Sequence, residues 1–282
     1  VISSDICLKM SGEFDHDVLL VPSQFSSIRE AVRAIHRPST IMVSPGVYAE
    51  DLFLADLPSV VISTTRFGKR GVTLVGATAA SVIRIEDARV YLNGLEIRSH
   101  GRARAISAID SSIAFQECVL AGNRVHGPNG EGCGAGMWCL RSSVRVQKSM
   151  IAGNTAETST GGASGGGLHL VDCQVEIAGS SIQANAVYGS AAARGGGIYC
   201  EGSQMRMWRS RITDNAVYGP RGQGAGIYFK DSSAQLGGSV ITGNGMAEGT
   251  GGGIFVSGDP EPVVVHGNTV VRQNHPDDFA NE

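Results

Sequence analysis

Three residues have the types and spacing for acid–base chemistry: His126, Glu157 and His169. His126 and Glu157 each stand three residues after an asparagine, Asn123 and Asn154. If those asparagines stack, Glu157 lies one layer from His126, where a carboxylate favours the protonated imidazole and fixes its tautomer. The same offset then gives Tyr188, Tyr218 and Ala247. A second series, each following an aliphatic residue after a glycine cluster, is Trp138, His169, Tyr199, Tyr228 and Phe255. Tyrosine hydroxyls can donate to a developing oxyanion, and exposed rings in a cleft serve recognition. Arg194 and Arg221 stand near both series and can hold an anionic group. A plainer reading stays open beside this one. Like aromatics on adjacent strands stack on each other, contributing about 0.2–1 kcal/mol per pair, and loop arginines are commonly just solvated.

The elements that would position these residues come from an internal repeat. Five segments open on a glycine cluster: Gly134-Ala135-Gly136-Met137-Trp138, Gly165-Gly166-Gly167-Leu168-His169, Gly195-Gly196-Gly197-Ile198-Tyr199, Gly224-Ala225-Gly226-Ile227-Tyr228 and Gly251-Gly252-Gly253-Ile254-Phe255. An aliphatic residue precedes Asn by three in Leu120/Asn123, Ile151/Asn154, Ile182/Asn185, Ile212/Asn215, Ile241/Asn244 and Val271/Asn274. The asparagines fall 31, 31, 30, 29 and 30 residues apart. Two marks holding one period define a solenoid. Between them the sequence alternates with period 2, as in Met205-Arg206-Met207-Trp208-Arg209, so each unit reads as three short strands. The fold expected is all-β, a right-handed parallel β-helix of about eight or nine coils. The asparagines should form a hydrogen-bonded ladder at a bend. The segments from Asn to the next glycine cluster read as loops that shorten from 124–133 to 245–250. Standing beside the aromatic column, they would wall one cleft containing both series.

The whole chain, 1–282, reads as one domain: a cap over 1–38, degenerate coils over 39–100, regular coils over 101–275 and a tail over 276–282. In the cap, Phe25, Ile28, Val32 and Ile35 form a helical stripe, with Ser27 and Glu30 as a capping box. A helix there would cover the open edge of the first coil. The net charge of −3 gives no basic surface for nucleic acid, and no apolar run approaches a membrane span. Val1–Met10 lacks a basic segment followed by an apolar one, so no signal peptide is visible, and a secreted chain whose leader has been removed stays open as the alternative. Cys139 and Cys200 share an inward column two coils apart with Leu170 between them, about 9–10 Å, too far for a disulfide. All six cysteines are therefore expected to be free, which favours the cytoplasm. No metal site and no cofactor are expected.

Residues 21–50, with Val21-Pro22-Ser23-Gln24-Phe25-Ser26-Ser27-Ile28-Arg29-Glu30-Ala31-Val32 and Ile41-Met42-Val43-Ser44-Pro45-Gly46-Val47-Tyr48-Ala49-Glu50, resemble the opening segment of pectin-lyase-like β-helix proteins such as pectin methylesterases. The glycine-cluster and Ile-x-x-Asn marks resemble the repeats of polymorphic outer-membrane passenger proteins, with Ile in place of their Phe. The stretch from Ala105-Ile106-Ser107-Ala108 through Cys118-Val119-Leu120-Ala121-Gly122 resembles the methylesterase segment that carries a catalytic Gln and then Gln-Asp. Here Ala105 and Asn123-Arg124 stand at those places, so the resemblance implies the fold without the esterase machinery. The motifs of polygalacturonases and the calcium-binding carboxylates of pectate lyases are also missing.

Three classes of function follow. One is a groove acting on a carbohydrate, lyase-like, with His126, Glu157 and His169 as acid–base groups and Trp138, Tyr188, Tyr199, Tyr218, Tyr228, Arg194 and Arg221 binding substrate. A second is a cyclase or isomerase that holds an extended small molecule in an aromatic cleft by shape and desolvation. The third is a non-catalytic binding or structural solenoid. The fold alone does not choose among them.

Overall fold

The computed structural model describes residues 16–65, 71–77, 80–127, 132–258 and 262–282. Expectations for Val1–Met10, for Cys7 and for positions 128–131 of the first loop lie outside the described residues. Three parallel sheets run the length of the solenoid. Sheet A has ten strands, from Asp17–Val21 to Val263–Val265; sheet B has nine, from Gly46–Ala49 to Val270–Arg272; sheet C has nine, from Leu52–Ala55 to Phe279–Asn281. Period-2 alternation decides what each strand buries. In sheet A, Ile113, Val144, Val175, Met205 and Ala234 stack in register, as do Phe115, Val146, Ile177, Met207 and Leu236. All ten are buried, in one apolar cluster that runs from Val21 to Val256.

From Ser143 onward each regular coil has five strands, two more than the sequence pattern indicates, and the coil before it has four among the described residues. The segments expected as loops are themselves parallel strands. Sheet D comprises Arg124–Gly127, Thr155–Thr158, Ala186–Tyr188, Ala216–Tyr218 and Gly245–Met246. Sheet E comprises Gly162–Ser164, Ala192–Arg194, Gly222–Gln223 and Gly249–Thr250. Between them lies a second core of Val125, Ala156, Val187, Val217 and Met246 from sheet D, Ala163 and Ala193 from sheet E, and Ala135 and Ala225 from the glycine-marked turns. Most of these side chains are small, so the two sheets approach closely. At Gly219 a Cβ would sit 2.2 Å from the Gly189 carbonyl oxygen, and a φ of +153° also requires glycine there.

The bends carry hydrogen-bonded ladders. Each Asn amide donates to the next Asn Oδ1, at 2.8 Å for Asn123 to Asn154 and 2.9 Å for Asn154 to Asn185, Asn185 to Asn215, Asn215 to Asn244 and Asn244 to Asn274. The asparagine column is structural, as expected. Two hydroxyl ladders accompany it: Ser149, Ser180, Ser210 and Ser239 accept from the backbone N–H one coil earlier, and Ser111, Ser142, Ser203 and Ser232 do so at the other bend. Cys173 sits in the second ladder and Cys118 begins the first, each a small buried group in a serine column.

At the N-terminal end, helix α1 (Ile28–Arg33) covers the first coil and buries Ile28, Ala31 and Val32. Ser27 Oγ accepts from the Glu30 N–H, and Glu30 reaches back to Ser26 rather than to the cap residue itself. Two further N–H groups of this end, on Ile28 and Arg29, donate to the buried Glu50 carboxylate at 3.0 and 2.8 Å.

Candidate functional site

The outer face of sheet D presents a row set by strand register: His126 against Glu157, Glu157 against Tyr188, Tyr188 against Tyr218. His126 Nδ1 lies 3.7 Å from Glu157 Oε1. Arg124, two residues before His126 on the same strand face, donates to Glu157 Oε2 through Nε at 3.1 Å and Nη2 at 2.5 Å. That hydrogen bond holds the Glu157 carboxyl below its usual range, with the charges of Arg124 and His126 adding to it. At neutral pH the Glu157 carboxyl is thus ionised and paired with Arg124, unsuited to be a general acid. Tyr188 and Tyr218 are 42% and 48% exposed and stack with ring centroids 4.5 Å apart.

The outer column of sheet C also has the expected register: Trp138, His169, Tyr199, Tyr228, Phe255. His169, Tyr199, Tyr228 and Phe255 stack at centroid spacings of 4.7, 5.2 and 5.5 Å, with planes within 5°. The column is not the open face expected, since Tyr199 is 6% and Tyr228 3% exposed. Each ring covers its neighbour's face, and two side chains of sheet E, Ser164 and Arg194, lie against the column. Ser164 Oγ meets His169 Nδ1 at 3.0 Å, and the Arg194 guanidinium lies 5.4 Å from the Tyr228 ring centre while its Nε donates to Gln223 Oε1. The hydroxyls are used internally: Tyr199 donates to Glu201 Oε2 at 2.7 Å, and Tyr228 pairs with Ser257 Oγ at 2.8 Å. Glu201 and Lys230 form the cross-strand ion pair that their shared column implies. Burial, with the charge of Arg104, depresses the His169 pKa to about 4, so at neutral pH this ring is an uncharged packing group.

These placements divide the expected acid–base trio. Side chains of sheets D and E that alternate with the second core point out of opposite faces of that layer. His126 and Glu157 leave by one face; Ser164 leaves by the other and meets His169. The two series do not enclose one cleft, because the segments expected to wall it are packed sheets. Arg221 stands apart at a turn with φ +60°, donating to the Ala191 carbonyl at 3.4 Å. Trp138 lies under the Arg104 guanidinium, 5.7 Å from its ring centre. Sequence reasoning missed Arg124 and Ser164. The readable signal was their spacing, one residue after Asn123 and five before His169.

Residues 70–270 match the family model for the right-handed β-helix region, and the chain belongs to that family. No curated protein is similar to it at a significant level. Among solved structures, a pectin methylesterase variant in complex with a hexasaccharide is 12% identical over 78% of this chain and 90% of that one, with a TM-score of 0.38. Pectin methylesterase PemA from Erwinia chrysanthemi is 12% identical, covering 77% and 89%, with a TM-score of 0.38. The pectin methylesterase from Aspergillus niger is 9% identical, covering 94% and 85%, with a TM-score of 0.36. The likeness is one of fold. No helix among the described residues is long and apolar enough to cross a membrane.

Proposed function

We propose that this chain binds an extended carbohydrate along the outer face of sheet D. The observation that carries the reading is the Tyr188–Tyr218 pair: two adjacent, half-exposed rings held parallel on a rigid sheet. Solvent-facing aromatics in such a row give a flat apolar surface with polar edges, the complement of a pyranose face. Along the same row Arg124, His126 and Glu157 supply hydrogen-bonding groups at strand spacing, suiting a ligand that runs parallel to the solenoid axis. His126 is the acid–base group with access to such a ligand, and the Glu157 carboxylate beside it orients the ring. The sheet C aromatics act as scaffold in this reading.

The test is a panel of acidic and neutral polysaccharides, with binding and product formation measured separately. Tyr218→Ala should weaken binding by roughly 1–2 kcal/mol, with little change in stability. His126→Ala should remove turnover and retain binding. Unchanged affinity in Tyr188→Ala and Tyr218→Ala would refute the surface. A second reading, a binding solenoid without turnover, is favoured by the Arg124–Glu157 pairing, which takes the carboxylate out of proton transfer. Binding without product from the wild type selects it. Nothing favours the aromatic-cleft cyclase reading, since the rings meant to line that cleft are packed.

A further inference from the structure

The net charge of −3 hides an uneven distribution over the solenoid. The outer faces of sheets A and B and the turn joining them span residues 143–152, 174–183, 204–213, 233–242 and 263–272. They hold six cations, Arg145, Lys148, Arg206, Arg209, Arg211 and Arg272, against one carboxylate, Glu176, a formal charge of +5. Glu176 is bonded to Arg145. The other five cations form no ion pair among the described residues, whereas Arg37, Arg84, Arg98, Arg124 and Arg141 are each paired with a carboxylate. Along the turn the column reads Lys148, Gly179, Arg209, Gly238, all with positive φ. Each long side chain leans over the glycine one coil on: a Cβ at Gly179 would sit 3.9 Å from Lys148 Cγ, and one at Gly238 3.7 Å from Arg209 Cγ. Trp208 stands likewise between two small residues, Ala178 and Gly237. Its indole lies over Gly237 with the His266 ring edge-on at 6.4 Å, and it stays 40% exposed. Val264 and Val270 are 40% and 39% exposed. Register turns both outward, Val264 beside Gln235 and Val270 beside Val240, so neither is a core residue bared by the end of the solenoid.

We propose that this ridge between sheets A and B docks the protein on the surface of an anionic lipid bilayer. Unpaired cations, an indole and outward valines on one edge suit the bilayer interface. Headgroup phosphates take the guanidinium and ammonium groups, while the indole and the valines reach the boundary beneath them. The cations gather around the ring. Arg206 precedes Trp208 by two residues on the same strand face, Arg209 follows it at the turn, and Arg211 opens the adjoining strand of sheet B. Lys148 lies two coils away, about 9–10 Å along the axis. The bend itself is fixed, because Ser180, Ser210 and Ser239 accept backbone N–H groups from one coil earlier throughout its length. The charges are therefore displayed without a cost for ordering the backbone on contact. A soluble polyanion would use the cations and leave the valines without a role. Single-stranded nucleic acid is held by a run of rings, and this face carries one indole. The carbohydrate surface on sheet D shares no residue with the ridge, and neither reading depends on the other.

The experiment sediments the full chain with vesicles of phosphatidylcholine alone and of phosphatidylcholine with about one third phosphatidylglycerol. The anionic vesicles should bind it at least about tenfold more tightly than the neutral ones, and added salt should release it. Trp138 and Trp208 are the two tryptophans of the chain, so Trp138→Phe makes Trp208 the sole indole reporter. Its emission should shift to the blue on anionic vesicles and be quenched by lipids brominated on the acyl chain. Replacing Arg206, Arg209 and Arg211 together by Gln should weaken binding about 100-fold, at roughly fivefold per charge. Arg141→Gln, outside the ridge, should bind as the wild type does. The proposal is overturned if anionic vesicles do not bind, if neutral vesicles bind equally, or if Trp208 emission is unchanged in the bound state. Binding to oligothymidylate or heparin with none to vesicles also overturns it and assigns the ridge to a soluble polyanion. Should the triple variant not fold, salt release and the quenching of Trp208 in the Trp138→Phe protein decide.

Discussion

His169 makes the fold sensitive to mild acid, and the size of the effect follows from its burial. Its folded pKa is about 4 against an ordinary value of 6.5. Above pH 6.5 the imidazole is neutral in both states and its contribution is complete. As pH falls below that value the unfolded chain takes up a proton that the folded chain refuses, and stability drops until the folded ring itself protonates near pH 4. The full loss is up to about 3 kcal/mol, and at pH 5 it is about 2 kcal/mol. His169→Phe keeps a ring in the ladder, as Phe255 does at the same register, and cannot protonate. It loses the contact with Ser164, a cost of about 1 kcal/mol that does not vary with pH in this range. Urea unfolding of both proteins between pH 7.5 and pH 5 measures the difference. The wild type should be the more stable at the upper end, and the variant should overtake it near the lower end. Carboxylates held down by arginines, such as Asp110 beside Arg141, are common to both proteins and cancel in the comparison. Parallel stability curves would show that His169 is accessible to protons in the fold, and the packed-ladder account would fail with it.

Asn185→Ala removes four ladder bonds, accepted from the Asn154 backbone and amide and donated to Ile151 O and Asn215 Oδ1. It should cost about 2–4 kcal/mol by chemical denaturation, because buried partners are left without their bonds. Glu50→Ala exposes the first N–H groups of α1 and should cost about 1–2 kcal/mol, with Glu50→Gln recovering part of it. The thiols of Cys118, Cys139, Cys173 and Cys200 are free and buried, and desolvation pushes Cys118 to about 12. Ellman's reagent should therefore reach these four only after unfolding.

The solenoid was legible because its constraints repeat. Asn123 through Asn274, the glycine clusters and the inward pairs such as Met205 and Met207 each recur once per coil, so one misplaced residue does not hide the pattern. The serine ladders carried the same signal in residues too common to stand out. Sheets D and E were not legible for a different reason. Several of their inward residues, Ala156, Ala163 and Ala193, are small, and a strand of three residues with one alanine facing inward has no hydrophobic period to detect. The site inherited that error. Register along each column followed from counting, whereas the side from which a column is covered depends on the path of the chain between Asn and the glycine turn. That path is set by two sheets whose core is mostly alanine and valine.

Phe53 and Phe255 show how far coverage decides exposure. Both stand in the outer column of sheet C, yet Phe53 is 55% exposed and Phe255 2%. Phe53 lies on the end strand of sheet C, whereas Phe255 stacks on Tyr228 on one side and packs against Ala280 of the last strand on the other. Rings stacked on both faces lose water and become core, and their hydroxyls turn to partners, Glu201 for Tyr199 and Ser257 for Tyr228. On sheet D, by contrast, Tyr188 and Tyr218 are 42% and 48% exposed, so their rings stay free in the same coils where the sheet C rings are packed.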